Sequence, residues 1–139
     1  MQNNCKLTKI IWETSGHRLY SSTTTREIDR NLKKVTTKNK TSFPNDPYGN
    51  FVSTYLIENI DVEETFNRID ELTKDWKTIY ISFNTTDSPS WYLKFFYSNS
   101  ETKTCYGNVK PPNYDEVINL ILMMLDTKKQ EENKLKIEP

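Results

Sequence analysis

The chain has 139 residues, of which 12% are aromatic and 27% charged, and its formal net charge is zero. That size fits one domain burying about two thirds of its unfolded surface, so no disulfide framework is needed, and the composition favours a packed core over disorder. A neutral chain has no global field to recruit nucleic acid or an anionic membrane. No basic leader precedes an apolar segment, and the longest apolar run, residues 117 to 125, is too short to span a bilayer, so the expected location is the cytoplasm, with no membrane partner. Cys5 and Cys105 lie too far apart in sequence for a scaffold or a zinc site and read as small apolar strand residues.

Leu7 to Glu13 reads as an opening strand interrupted by the turn-prone Ser15 and Gly16. Residues 21 to 41 carry two competing signals. Ile28, Leu32 and Val35 fall at helical spacing behind a Thr24 and Glu27 capping box, whereas the Thr runs at 23 to 25 and 36 to 37 favour strands. A hairpin turning at Asp29, Arg30 and Asn31 sets Ile28 opposite Leu32 and Glu27 opposite Lys33, both favourable pairs, and is the preferred reading. Residues 39 to 50, rich in turn formers and holding two prolines, make the longest loop. Phe51 to Ile57 is extended again. Asp61 then caps an amphipathic helix, with Glu64 completing the capping box and Val62, Phe66, Ile69 and Leu72 on one stripe. After Trp76, Thr78 to Phe83 reads as a strand alternating Ile79, Ile81 and Phe83 with polar neighbours.

The last third is the clearest. Trp91, Leu93, Phe95 and Tyr97 alternate with Tyr92, Lys94 and Phe96, the period of two that a pleated strand imposes. Ser98, Asn99 and Ser100 turn the chain into a second strand, Thr102 to Asn108, which Pro111 and Pro112 end. Asn113 and Glu116 are placed to cap a helix carrying Tyr114, Val117, Ile118, Ile121, Leu122 and Leu125 at helical spacing. Leu120, Met123 and Met124 make that helix apolar on nearly every side, which suggests a homodimer. The expected architecture is α+β: an antiparallel sheet of meander and hairpin with two helices packed on one face, one domain over residues 1 to 127, and a charged tail over 128 to 139.

The order of Trp12, Ser15 and Gly16, then Trp76, Trp91 and Tyr97, then Gly107 and Asn108, then Pro112, Asn113 and Tyr114 resembles a family of small uncharacterised bacterial proteins. Asp87, Ser88, Pro89 and Ser90 stand where that family has Asp-Gly before the strand Trp. The resemblance implies the α+β fold and carries no site. The abundance of Asn, Lys, Thr, Ile and Tyr is associated with AT-rich bacterial or phage genomes.

Chemistry is bounded by exclusion. His17 is the single histidine, so a multi-His metal site is ruled out and any nucleophilic triad has to be built around the loop of Ser15, Gly16, His17 and Arg18. An exposed loop histidine is the stronger reading. The three glycines form no phosphate-cradling loop, so no nucleotide cofactor is expected. Glu63 with Glu64 and Asp70 with Glu71 are adjacent on a helix and do not face each other as an acid/base couple. Cys105 has no histidine near it in sequence to act as its base.

Charge placement remains. Residues 26 to 40 hold Arg26, Arg30, Lys33, Lys34, Lys38 and Lys40 against Glu27 and Asp29, and residues 58 to 75 hold seven acids against Arg68 and Lys74. The chain is dipolar though neutral. An acidic helix presenting Glu63, Glu64, Asp70 and Glu71 suits a basic protein partner such as a toxin or nuclease, because complementary fields speed encounter. Arg26, Arg30, Lys33 and Lys34 are candidate anion ligands, although the stretch lacks aromatics for base stacking, which counts against nucleic acid. The expectation is a non-catalytic protein-binding module, an immunity or inhibitor protein of a bacterial or phage conflict system. A nucleic-acid or nucleotide binder using residues 26 to 40 is the first alternative, and an enzyme built around His17 the second.

Overall fold

The computed structural model describes residues 5–15, 22–41, 51–58, 60–83 and 90–125. In chain order the elements are β1 (Leu7–Ser15), β2 (Ser22–Asp29), β3 (Lys34–Thr41), β4 (Phe51–Leu56), α1 (Val62–Thr73), β5 (Ile79–Tyr80), β6 (Trp91–Tyr97), β7 (Thr102–Gly107) and α2 (Tyr114–Leu125). The seven strands form one sheet in the order β4-β3-β2-β1-β6-β7-β5, antiparallel except where β5 meets β7. This is the expected α+β fold. His17 and its loop, most of the 39 to 50 loop, Asp87 to Pro89 and the tail from residue 128 lie outside the described residues.

One face of the sheet makes the core. Val35, Ile28, Ile10 and Phe95 form one cross-strand row and Trp12, Leu93 and Cys105 another, and both rows are buried in a single cluster with Phe66, Ile69, Val117, Ile121 and Met124 of the helices. Residues in one row point to one face, so both helices cover the same side. A register shift between Leu7 and Lys9 lets Leu7 and Ile10, three positions apart, both enter that core.

The residue 21 to 41 segment is a hairpin, in a different register from the expected one. Ile28 faces Val35 and Glu27 faces Thr36, across a turn of Arg30 to Lys33 in which Lys33 has a positive φ of 51°. The longer turn places both β-branched residues on the core face and leaves Leu32 exposed, while Asp29 Oδ1 accepts from the Leu32 amide at 2.9 Å. Arg30 gains most, because its side chain is carried inward.

The 78 to 83 segment departs further. Only Ile79 and Tyr80 pair as strand, and the apolar Ile79, Ile81 and Phe83 are all exposed, while Tyr80 packs against the core beside Trp91. The neighbouring strand decides this, not the alternation within the segment. Tyr80 O accepts from Asn108 N at 2.9 Å, Asn108 Oδ1 accepts from Ser82 N at 2.8 Å, and a Cβ on Gly107 would overlap the Tyr80 carbonyl. Glycine is required there so that β5 can come this close.

Helix α2 is also rotated and started differently. Asn113 enters it at a φ of 66°, outside the extended range of a usual capping residue, and Glu116 is turned to Arg68. Val117, Ile121, Met124 and Leu125 face the sheet, so Met124 is core, and Leu122 and Met123 are the exposed apolar side chains. At the start of α2 an aromatic cluster closes the core: Trp76 lies edge-on to Trp91 at 6.0 Å and to Phe95 at 6.1 Å, and Tyr114 lies 5.2 Å from Trp91. Both cluster indoles are satisfied, Trp76 Nε1 donating to Pro112 O at 2.8 Å and Trp91 Nε1 to Val109 O at 3.0 Å. Phe95 is fully buried at the centre of the sheet, so Phe95→Ala is expected to cost about 3–5 kcal/mol. Chemical denaturation checks this; an unchanged midpoint would put the Phe95 face in solvent.

Candidate functional site

Helix α1 divides the four candidate acids between two flanks. Asp61 Oδ1 accepts from the Glu64 amide at 3.0 Å and sets the helix phase. With that phase, positions 63, 67 and 70 run along one flank and 64, 68 and 71 along the other, each series spaced by four and then three residues.

The first flank meets Arg30 of the β2–β3 turn. Arg30 is 3% exposed, and its Nε donates to Glu63 Oε1 at 3.0 Å and Oε2 at 3.1 Å. Its Nη1 donates to Leu7 O at 2.9 Å, and its Nη2 to Asn67 Oδ1 at 2.9 Å and Glu63 O at 3.4 Å. One residue of the candidate basic set is therefore bound to one residue of the candidate acidic set. Arg30 is committed inside the protein, which a reading of charge runs had no means to show. The Arg30 hydrogen bonds, followed by its charge and those of Lys6 and Lys33, hold the Glu63 carboxyl below the ordinary carboxylate range. Asp70, half-buried, is shifted the other way: desolvation raises it, against a hydrogen bond from the Leu7 backbone and the nearby charges of Lys103 and Arg30. Lys103 itself donates to Thr73 O at 2.6 Å, satisfying a carbonyl at the C-terminus of α1.

The second flank, with Asn67 of the first, lines a groove of about 400 Å³ between α1 and α2, formed by Glu64, Thr65, Asn67, Arg68, Glu71 and Leu120. Arg68 bridges the helices, donating to Glu116 Oε2 from Nη2 at 2.8 Å and from Nε at 3.2 Å. Glu71 accepts from Lys74 at 2.9 Å on the exposed surface. The groove thus has acidic walls and one apolar side chain, Leu120. Arg68 and Leu120 were not placed together in a site from sequence, because their meeting depends on how the two helices pack.

The basic residues also separate. Lys33 is exposed in the turn, and Lys34 stands on β3 opposite Asp29. Arg26 lies on the core face of β2, its guanidinium 4.5 Å over the Trp12 ring. The outer face of the sheet carries Phe96 between Lys9 and Lys94, at 5.4 and 5.1 Å, with Tyr92 and Tyr106 in the row beyond that of Lys94. Among the described residues no three His, Cys, Asp or Glu side chains gather as a metal site, and no helix is long and apolar enough to cross a membrane. Compared with protein-family models, curated proteins and solved structures, the chain matches none of them.

A depressed carboxyl pKa in the folded state contributes stability that is present above the unfolded pKa and lost as pH falls through the folded one. Glu63→Gln is therefore expected to lower the denaturation midpoint at neutral pH, with the gap to the parent closing on acidification below the carboxylate range. Midpoints followed across pH check this; a gap independent of pH would show that the Glu63 charge does not act on Arg30.

Proposed function

We propose that the chain is a non-catalytic protein-binding module, an immunity or inhibitor protein of a bacterial or phage conflict system acting in the cytoplasm, and that it docks a basic partner through its helix layer. The groove between α1 and α2 carries this reading. Its walls hold Glu64 and Glu71, both exposed, and Leu120 offers an apolar contact beside them. A Lys or Arg stem lies well along such a side chain while its charge meets the carboxylates. Arg68 is already paired with Glu116, so its charge does not repel the incoming one. Of the residues from which a homodimer was expected, Leu120, Met123 and Met124, the last is core, so the proposed contact keeps Met123, 57% exposed, and adds Leu122.

A second reading, single-stranded nucleic acid, draws on the outer sheet face. Tyr92, Phe96 and Tyr106 are there to stack bases, with Lys9 and Lys94 beside Phe96. It ranks lower because Glu13, Glu27 and Asp29 stand among those lysines on the same face and repel phosphates.

Exposed wall charges act on encounter more than on holding a complex. For a partner isolated by affinity capture from the native host, Glu64→Lys combined with Glu71→Lys is expected to slow stopped-flow association by tenfold or more at low salt, about 1.4 kcal/mol of steering, and less at high salt, where the Debye length falls to about 3 Å. Association unchanged at low salt would exclude the groove as the docking surface.

A further inference from the structure

The core face of the sheet is apolar only where the helices cover it. Along the row formed by Trp12, Arg26, Thr37 and Ser53, and the next row of Thr14, Thr24 and Asn39, it becomes polar. Two buried polar atoms among the described residues have no hydrogen-bond partner, Trp12 Nε1 and Ser53 Oγ, and both belong to this one row. Trp12 is 8% exposed, so its indole N–H is closed off from water as well. An orphaned donor in such a place carries its full desolvation penalty, and each one in a native structure calls for an explanation.

Between the two orphans lies Arg26. Its guanidinium sits 4.5 Å over the Trp12 ring and makes one hydrogen bond, Nη1 to Thr14 Oγ1 at 3.1 Å. No carboxylate pairs with it among the described residues, in contrast to Arg30, and its remaining N–H groups meet no acceptor there. Desolvation lowers its pKa, with only the nearby Tyr55 acting in the other direction. Arg26, the Trp12 N–H and the Ser53 hydroxyl together form a positively charged set in which donors outnumber acceptors. Arginine and tryptophan nitrogens cannot accept at all. The chemical complement is a group that only accepts and carries negative charge, and the open edge of a guanidinium matches the paired oxygens of a carboxylate or phosphate.

We infer that Arg26, with Trp12 and Ser53 on the same cross-strand row, forms a binding site for the oxyanion group of a small molecule, a carboxylate or a phosphate. Arg26 is the charged anchor, and Trp12 both packs against its guanidinium and offers a donor. Ser53, two strands from Arg26 and so about 10 Å away, is placed to meet a polar body attached to the anion. The site is separate from the α1–α2 groove and stands or falls independently of the proposed partner docking.

The test is titration of the full chain with inorganic phosphate and, separately, malonate, read from the three tryptophan indole N–H signals in a ¹⁵N-correlated spectrum. Trp76 and Trp91 already donate to carbonyls, so they serve as internal controls, and Trp12→Phe assigns the third signal. The expected result is a saturable shift of the Trp12 signal with at least one probe, which also tells phosphate from carboxylate. Arg26→Gln is expected to abolish the shift. Arg26→Lys, which keeps the charge without the fork, is expected to weaken binding about tenfold. No Trp12 shift with either probe at millimolar concentration would overturn the site, as would a shift that survives in Arg26→Gln or is equalled by those of Trp76 and Trp91.

Discussion

The buried guanidinium of Arg30 constrains the arrangement of everything around it. A positive charge taken out of water is costly unless its partners are nearly complete, and removing one partner leaves the penalty uncompensated. Here the acceptors come from three places: the Leu7 carbonyl at the start of β1, the Asn67 side chain, and the Glu63 side chain and carbonyl on α1. Satisfying Arg30 therefore fixes the height and rotation of α1 over the β1–β2–β3 end of the sheet. That rotation ties Glu63, itself exposed, to Arg30, half-buries Asp70, and leaves Glu64 and Glu71 to solvent. The surface available for a partner is set by an interaction in the interior.

The opposite end of the layer is fixed by ring packing. Trp76, just beyond α1, and Tyr114, in the first turn of α2, meet Trp91 and Phe95 of β6, the strand next to the central β1. Aromatic pairs at these separations add directional preference to a large apolar contact. Charge at one end and rings at the other clamp α1, and the groove with α2 follows from both.

Legibility in the sequence followed locality. The β6–β7 hairpin and the α1 stripe were readable because the period alone decides which residues are buried, and Trp91, Leu93, Phe95, Val62, Phe66 and Ile69 are indeed core. The hairpin of β2 and β3 was readable as a hairpin but not in register, since Ile28 pairing with Leu32 and Ile28 pairing with Val35 satisfy the same local rule. What separates them is the buried destination of Arg30, a contact with residues 33 and more positions away. The 78 to 83 segment failed for a similar reason, because its polarity pattern is overridden by pairing with Gly107 and Asn108. In the candidate site, charge runs singled out α1, and the flanks of positions 63, 67, 70 and 64, 68, 71 could have been drawn from helical spacing. Which flank is internal could not, nor could the different fates of Arg26 and Arg30, two positions of one basic stretch.

The central claim is that Arg30 holds α1 on the sheet, and amide hydrogen exchange of Arg30→Met measures it residue by residue. The account predicts that protection falls across Val62–Thr73 while the paired amides of β1, β6 and β7 keep theirs, because the central sheet and its aromatic cluster do not depend on Arg30. Unchanged protection in α1, or a loss spread evenly over helix and sheet, would contradict it.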